Sequence, residues 1–574
     1  MIACQTVLLS ALLTMFANAV LAAVDNPDGR VEANRTCIDG PPETQSWDFR
    51  RRVSGPPPAG RIREIHYSRL PVFDETNPRE NNWLFRWGNR IHTLTTVQSV
   101  RQQLLFDVGN EYSPARAAET ERNLRRSSHL YDAAIRTLAT CDDDTGRPEV
   151  DVEVITRDVW SLTPELSYTQ AGGESTYRFG IRDNNLLGTG NHLSMVRRHD
   201  ADRNSTEFVY RDLFLGDTRI ATQLEWIDSD DGNAALARVS LPFYALDARK
   251  SWSISLRRTD RSEKQYAKGR ATSIVHHDFE DLFAHLGWSR GLINGRVTRW
   301  STGVRVQADR FQALPAADLP GPRTTPRSNR LTYPFVQIEH IEDRYSEGYN
   351  FDQIHRTEDL HLGVSWYARA GYASTSLGST VDRVVVEAQV RDTLRFTATD
   401  LWSHRFAIET RWDLSSSSAE DLVAVYATRF FRSLGARTSL VATLNATYSH
   451  NLNSHRQVQL GGSNGLRGYA NRITVGDRSV LASVEHRLFT NMHPLQLARL
   501  GFAAFVDIGT AWTRHEDNGT RNRALANIGI GMRLASSKSQ SGRVIHIDLA
   551  FPVIARDDPE IDEYQFVVSI KNRL

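Results

Sequence analysis

Long apolar runs are missing from this 574-residue chain beyond its first two dozen residues. Crossing a bilayer as a helix takes about twenty consecutive apolar residues, so a helical membrane protein is excluded. Charge of one sign is missing too: 69 Lys and Arg stand against 68 Asp and Glu, a net charge of +1. That balance leaves no electrostatic footprint for nucleic acid, and no nucleic-acid partner is expected. Cysteine is sparse, with 3 in all. Cys4 falls in the leader, and Cys37 and Cys141 remain as an even pair, either one disulfide tying the N-terminal segment to the globular part or two free thiols. Mean hydropathy is low, at −0.43. A soluble protein gives such a value, and so does a membrane barrel in which only alternate residues face lipid.

What is present begins with a leader. Residues 1–23 hold an apolar stretch from Val7 to Leu21 and end in Ala19, Ala22 and Ala23, which suits removal by a signal peptidase, although no Lys or Arg precedes the stretch. Residues 24–60 are polar, end in Pro56-Pro57-Pro58 and read as a linker. Over residues 61–160 the pattern becomes strand, helices, then a hairpin, enough for one small domain. Within it, Ser113-Pro114 is a helix start, with serine as N-cap and proline in the first turn, and the helix runs to Arg126.

Residues 161–574 differ. Segments of about ten residues alternate apolar and polar between turns rich in Gly, Asp and Asn. Trp252, Ile254 and Leu256 alternate with Ser253, Ser255 and Arg257, and Ile545, Ile547 and Leu549 alternate with His546 and Asp548. A soluble sandwich alternates as well. Charges such as Arg405, Glu409 and Arg411 on one strand face suit open water or a polar lumen, while Trp402, Trp412 and Trp512 near strand ends suit interfacial girdles.

Two stretches carry the most information. Gly461-Gly462-Ser463-Asn464-Gly465-Leu466-Arg467-Gly468-Tyr469 is a glycine-dense loop with one cation, and Phe505-Val506-Asp507-Ile508-Gly509 is an alternating strand with one acid. The first also satisfies the Gly-x-Ser-x-Gly pattern of hydrolases, but that elbow needs a helix after it, and Leu466 to Arg472 has no helical apolar face. His276, His277, Asp278, Glu280, Asp281 and His285 form the densest ligand-like cluster, with no distant partner motif to complete a metal site.

Together the loop and the strand resemble the signature of the BamA/TamA-type outer-membrane assembly superfamily. Asp183-Asn184-Asn185-Leu186-Leu187-Gly188-Thr189-Gly190 resembles the family's second-strand turn, and Gly109 to Pro114 followed by Glu121 to Arg125 resembles the wording of a POTRA domain. The resemblance implies a membrane β-barrel of about sixteen antiparallel strands behind a single periplasmic POTRA-like domain, in the outer membrane of a Gram-negative-type cell. Counting alternating segments gives nearer twenty, which sixteen would accommodate by placing hairpins in the loops.

The resemblance further implies that Arg467, in the loop of Gly465, Leu466, Gly468 and Tyr469, is latched inside the lumen to Asp507 or Glu485. Implied partners are the lipid bilayer and unfolded client proteins held by the POTRA-like domain, for insertion or translocation. No reaction, metal or cofactor is implied. A dedicated exporter of one secreted partner and a passive solute channel are the rival functions.

Overall fold

The computed structural model describes residues 48–49 and 59–574, apart from 144, 201, 268–269, 315–325, 514–523, 540–542, 557, 559–560 and 572–573. The leader 1–23, nearly all of the 24–60 linker and the Cys37–Cys141 pairing lie outside the described residues.

Residues 61–158 build a three-stranded sheet of β1 (Arg61–Leu70), β2 (Leu130–Asp142) and β3 (Pro148–Asp158) in the order β1-β3-β2. β1 and β3 run parallel, and β2 is antiparallel to β3. Three helices connect them: α1 (Trp83–Ile91), α2 (Val97–Arg101) and α3 (Pro114–Arg126). Asn82, Thr96 and Ser113 cap these helices through their side chains, each accepting the N–H three residues on. Ile62, Val100, Leu104, Leu124, Leu130, Val150, Val152 and Val154 form the core.

From β4 (Leu162–Ala171) to the last strand (Gln565–Lys571), 20 strands close an antiparallel barrel. The sixteen implied by resemblance is therefore corrected to 20. The additional alternating segments are ladder-paired wall strands, because any amphipathic stretch that reaches both rims is satisfied only by joining the ladder. Two short ribbons lie outside the wall, Tyr345–Tyr349 with Thr357–His361 and Val458–Leu460 with Thr474–Gly476.

The wall is inverted relative to a soluble core. Ile254, Leu256, Ile528 and Ile530 are exposed outward, whereas Ser253, Ser255, Arg533 and Asp548 are buried inward. A sandwich in water would bury the first set and hydrate the second, so this is a wall built for lipid. No helix among the described residues is long and apolar enough to cross a membrane, and the crossing belongs to the strands.

The small domain caps one rim, here called the domain end. Thr96 N–H donates to Gly188 O at 2.8 Å, Arg219 donates to Leu104 O at 2.7 Å, Leu246 N–H donates to Glu119 at 2.7 Å, and Lys538 meets Glu80 at 2.6 Å. These four turns lie between successive wall strands, so the domain is held around much of the rim.

Candidate functional site

The glycine-dense loop leaves the far rim after the Thr438–His450 strand and turns into the lumen before Arg478–Phe489 begins. Its glycines make room for this. Gly465 has φ of +111°, and a Cβ on Gly468 would stand 2.6 Å from Asn527 Cβ. Leu466 and Tyr469 are fully buried against Leu460, Ile473, Leu481 and Leu525, and the Tyr469 hydroxyl donates to Ala526 O at 2.6 Å. The loop is thus packed like a core, with one cation at its tip.

Arg467 grips Asp507 with two bonds, Nε to Oδ2 at 2.9 Å and Nη2 to Oδ1 at 2.8 Å. Its Nη1 reaches Glu485 Oε2 at 3.1 Å and Asp548 Oδ2 at 3.4 Å. Its guanidinium carbon lies 3.3 Å over the Phe505 ring. Asp507 also accepts from Ser483 Oγ at 2.6 Å and Asn527 Nδ2 at 2.9 Å. The structure therefore brings Arg467 to both acids singled out in the sequence, and adds a third.

The cluster is larger than that group. Arg533 bridges Asp548 at 2.5 Å and Glu485 at 3.1 Å, and Arg487 holds Glu485 at 2.7 Å. Three arginines face three carboxylates, all nearly buried, so their formal charges cancel. Each charge comes from the inward phase of a wall strand or from the loop, and cancellation is what allows such a group in a largely dry space.

Sequence reasoning missed Arg487, Arg533 and Asp548. Each stands in the polar phase of an alternating strand, which was the available signal. Ser463 lies on a single 3-10 turn, Gly462–Asn464, with no helix after it, so the strand-turn-helix of a hydrolase elbow is not formed. His276 and His277 lie on one strand with their side chains on opposite faces, and among the described residues no group of three or more ligand residues is placed to hold a metal.

The cluster reaches two further elements. Arg487 Nη2 donates to a main-chain oxygen of Leu574 at 2.7 Å, and its Nη1 donates to Phe351 O at 3.3 Å. Phe351 belongs to residues 343–364, which dip into the lumen from the domain end as a plug hairpin. There Leu574 N–H donates to Asp352 O at 2.9 Å, and Ile354 packs with Phe489, Val544 and Leu574. On its other side the hairpin meets α3, with Arg125 bonded to Asp359 at 2.6 Å and 2.9 Å.

The first and last wall strands meet at a weak seam. Among the described residues their register contains one partner pair, Val568 with Gln170. β4 makes ten such pairs with its other neighbour, Glu174–Leu186, and the last strand makes seven with Val544–Pro552. Pro164 lacks an N–H for the ladder, and the tight Gly172-Gly173 turn follows, with φ of +56° and +77°. Both ends of the seam are held from inside the lumen. Asn471 and Arg472 of the glycine-dense loop bond Ala171 O and Glu174 at 2.8 Å and 2.6 Å near the far rim. Arg487 and the plug hairpin hold Leu574 at the domain end.

Residues 402–572 match the Omp85 superfamily domain, a span that contains the whole charged cluster. No curated protein matches the chain at a significant level. Among solved structures the chain is similar to CdiB from Acinetobacter baumannii, at TM-score 0.43 and 13% identity over 99% of this chain and 97% of that one. It is similar also to a BamA from Haemophilus ducreyi lacking POTRA domains 1-3 (0.38, 13%, 89% and 84%) and to the FrpB iron transporter from Neisseria meningitidis (0.37, 9%, 78% and 84%).

Proposed function

We propose that this outer-membrane barrel, which carries an Omp85 superfamily domain, inserts or translocates client proteins through a seam that opens sideways. The observation that carries the reading is the seam itself, with one pair where the adjoining interfaces have seven and ten. Unpaired strand edges are templates for another strand, and here they come from two strands held mainly by the loop and the plug hairpin, with a single ladder pair between them. The Arg467 loop then serves as a latch: bonded to the wall at Asp507 and Glu485, it positions Asn471 on the end of β4 and Arg472 on Glu174 just past it.

Residues 61–160 act in this reading as a POTRA-like periplasmic domain that captures clients by strand addition. The outer edge of β1 is covered at its start, since Ile62 and Gly60 exchange backbone bonds with residues 109–112. β2 is the other edge of the sheet, and its stretch from Thr137 onward is where a client strand would add. A passive solute channel fits less well, because the arginine loop and the plug hairpin both occupy the lumen.

The test is photocrosslinking in intact cells from position 137 on β2 and from position 61 on the covered start of β1. Exported, unfolded proteins trapped at 137 and not at 61 support client capture. A large, steady conductance from the reconstituted chain with no trapped protein would favour the solute channel and overturn the proposal.

A further inference from the structure

The outward face of α1 has no role in packing the small domain. The helix buries Phe85 and Gly88 against Phe73 and Trp160, with the Phe85 and Phe73 rings stacked at 4.2 Å. Trp83, Leu84, Trp87 and Ile91 are left outside, at 74%, 48%, 54% and 52% exposure. At about 100° per residue these four fall within a single arc of roughly a quarter turn, and Arg86 and Arg90 lie along one flank of it. Two largely exposed tryptophans on one short helix are costly in water, whereas a bilayer interface favours them.

The position of α1 names the surface it faces. Its inner face rests on Trp160, two residues before the barrel wall begins at Leu162, which is itself exposed toward lipid along with Leu166. Before the helix, Glu80 is tied to Lys538, in the turn joining Leu525–Ser536 to Val544–Pro552. After it, Thr96 is tied to Gly188, in the turn that ends Glu174–Leu186. In the closed barrel the last strand and β4 lie between those two turns. The helix therefore runs along the domain-end rim directly beneath the seam, and its apolar arc continues the lipid-facing band of the wall.

We propose that α1 is an interfacial anchor, embedded in the phospholipid leaflet at the domain end. Trp83, Leu84, Trp87 and Ile91 enter the acyl boundary, and Arg86 and Arg90 lie among the phosphates. Helices of this kind sink about 5–10 Å below the headgroups. The anchor fixes the small domain to the membrane at the place where the seam opens, so domain and seam move against a common reference. It rests on the barrel being membrane-embedded and is independent of what the barrel transports.

The experiment places an environment-sensitive NBD label on single cysteines, with the native cysteines replaced, in the full chain reconstituted into phosphatidylethanolamine and phosphatidylglycerol vesicles. The positions are Trp83→Cys, Trp87→Cys, Leu166→Cys on the wall, and Arg147→Cys in the exposed turn before β3. Each chain is scored after showing the heat-sensitive compact band of a folded barrel. Brominated phospholipid should quench positions 83 and 87 to within about twofold of position 166, as expected for a helix at the acyl boundary, and leave 147 unquenched. Quenching at 166 without quenching at 83 and 87 overturns the anchor and leaves the barrel intact. A blue shift at 87 without quenching means that protein covers the face, and it overturns the proposal equally. Absence of quenching at 166 removes the membrane barrel on which the anchor rests.

Discussion

Replacing Arg467 with alanine should cost more than neutralising its principal partner, and the geometry states why. Without Arg467, Glu485 retains Arg487 at 2.7 Å and Arg533 at 3.1 Å, and Asp548 retains Arg533 at 2.5 Å. Among the described residues, Asp507 retains only neutral donors, Ser483 and Asn527. It becomes the uncompensated buried charge, and such a loss costs about 3–5 kcal/mol. The converse change is milder: Asp507→Asn leaves Arg467 with Glu485 and Asp548, so its effect should fall nearer the bottom of that range or below it.

Combining the two removes the stranded carboxylate, and the double variant should be less destabilised than the sum by about 2 kcal/mol, within the range seen for residues sharing one network. The measurement is urea unfolding of the barrel in vesicles, followed by tryptophan fluorescence, with protease cleavage between 453 and 476 as a local readout. Effects that add to within about 0.5 kcal/mol, the tolerance expected of independent sites, would refute the latch.

The plug hairpin gives a second expectation: replacing residues 345–361 by a short glycine-serine linker should raise conductance and weaken protection of the C-terminus, read by planar-bilayer recording and C-terminal protease digestion, whereas unchanged conductance would mean it does not occlude the mouth. A third concerns pH. Burial raises the Glu121 carboxyl of α3 to about 7 from an ordinary 4.5, against the opposing pull of Arg125. The folded domain therefore favours the neutral acid. That contribution to stability is complete below about 4.5 and is lost as pH rises through about 7, so hydrogen exchange at the Ile135 amide, which donates to Glu121, should be slower at a given intrinsic rate at pH 5 than at pH 8. Glu121→Gln should flatten the difference, and an unchanged profile in that variant would assign it elsewhere. Fourth, Glu174→Ala removes one acceptor shared by Asn471 and Arg472, just past the turn that follows β4, and it should speed crosslinking across the far end of the seam without altering the Arg467 cluster; rates equal to the parent's would show that this contact does not hold that end.

The barrel was legible because its alternation survives in nearly every strand, and the wall's inverted burial follows from that alternation once strands close. The strand number was less so, since counting periodic segments gives nearer twenty and resemblance alone pointed to sixteen. Arg467 and Asp507 stood out because two motifs present one cation and one acid, and it was the family resemblance carried by those motifs that implied their meeting, with Glu485 as the other partner. Arg487, Arg533 and Asp548 were not, because a lone charge in a polar phase looks alike on every strand. Which of them meet is fixed by register and shear, over separations such as the 81 residues between Arg467 and Asp548. The plug hairpin has the same difficulty, as nothing in residues 343–364 marks them as turning inward. The face of α1 is a different case: Trp83, Leu84, Trp87 and Ile91 are visible in the sequence, but only the domain's docking shows that they remain uncovered.

The central claim is that the seam must part for the protein to work. Gln170 and Val568 are cross-strand partners, and such partners have Cα atoms about 4.5–5.5 Å apart, within the span a disulfide bridges. A chain bearing Gln170→Cys and Val568→Cys, with the native cysteines replaced, should lose client crosslinking and transport when oxidised and regain both on reduction. Full activity with the bond completely formed would contradict lateral opening.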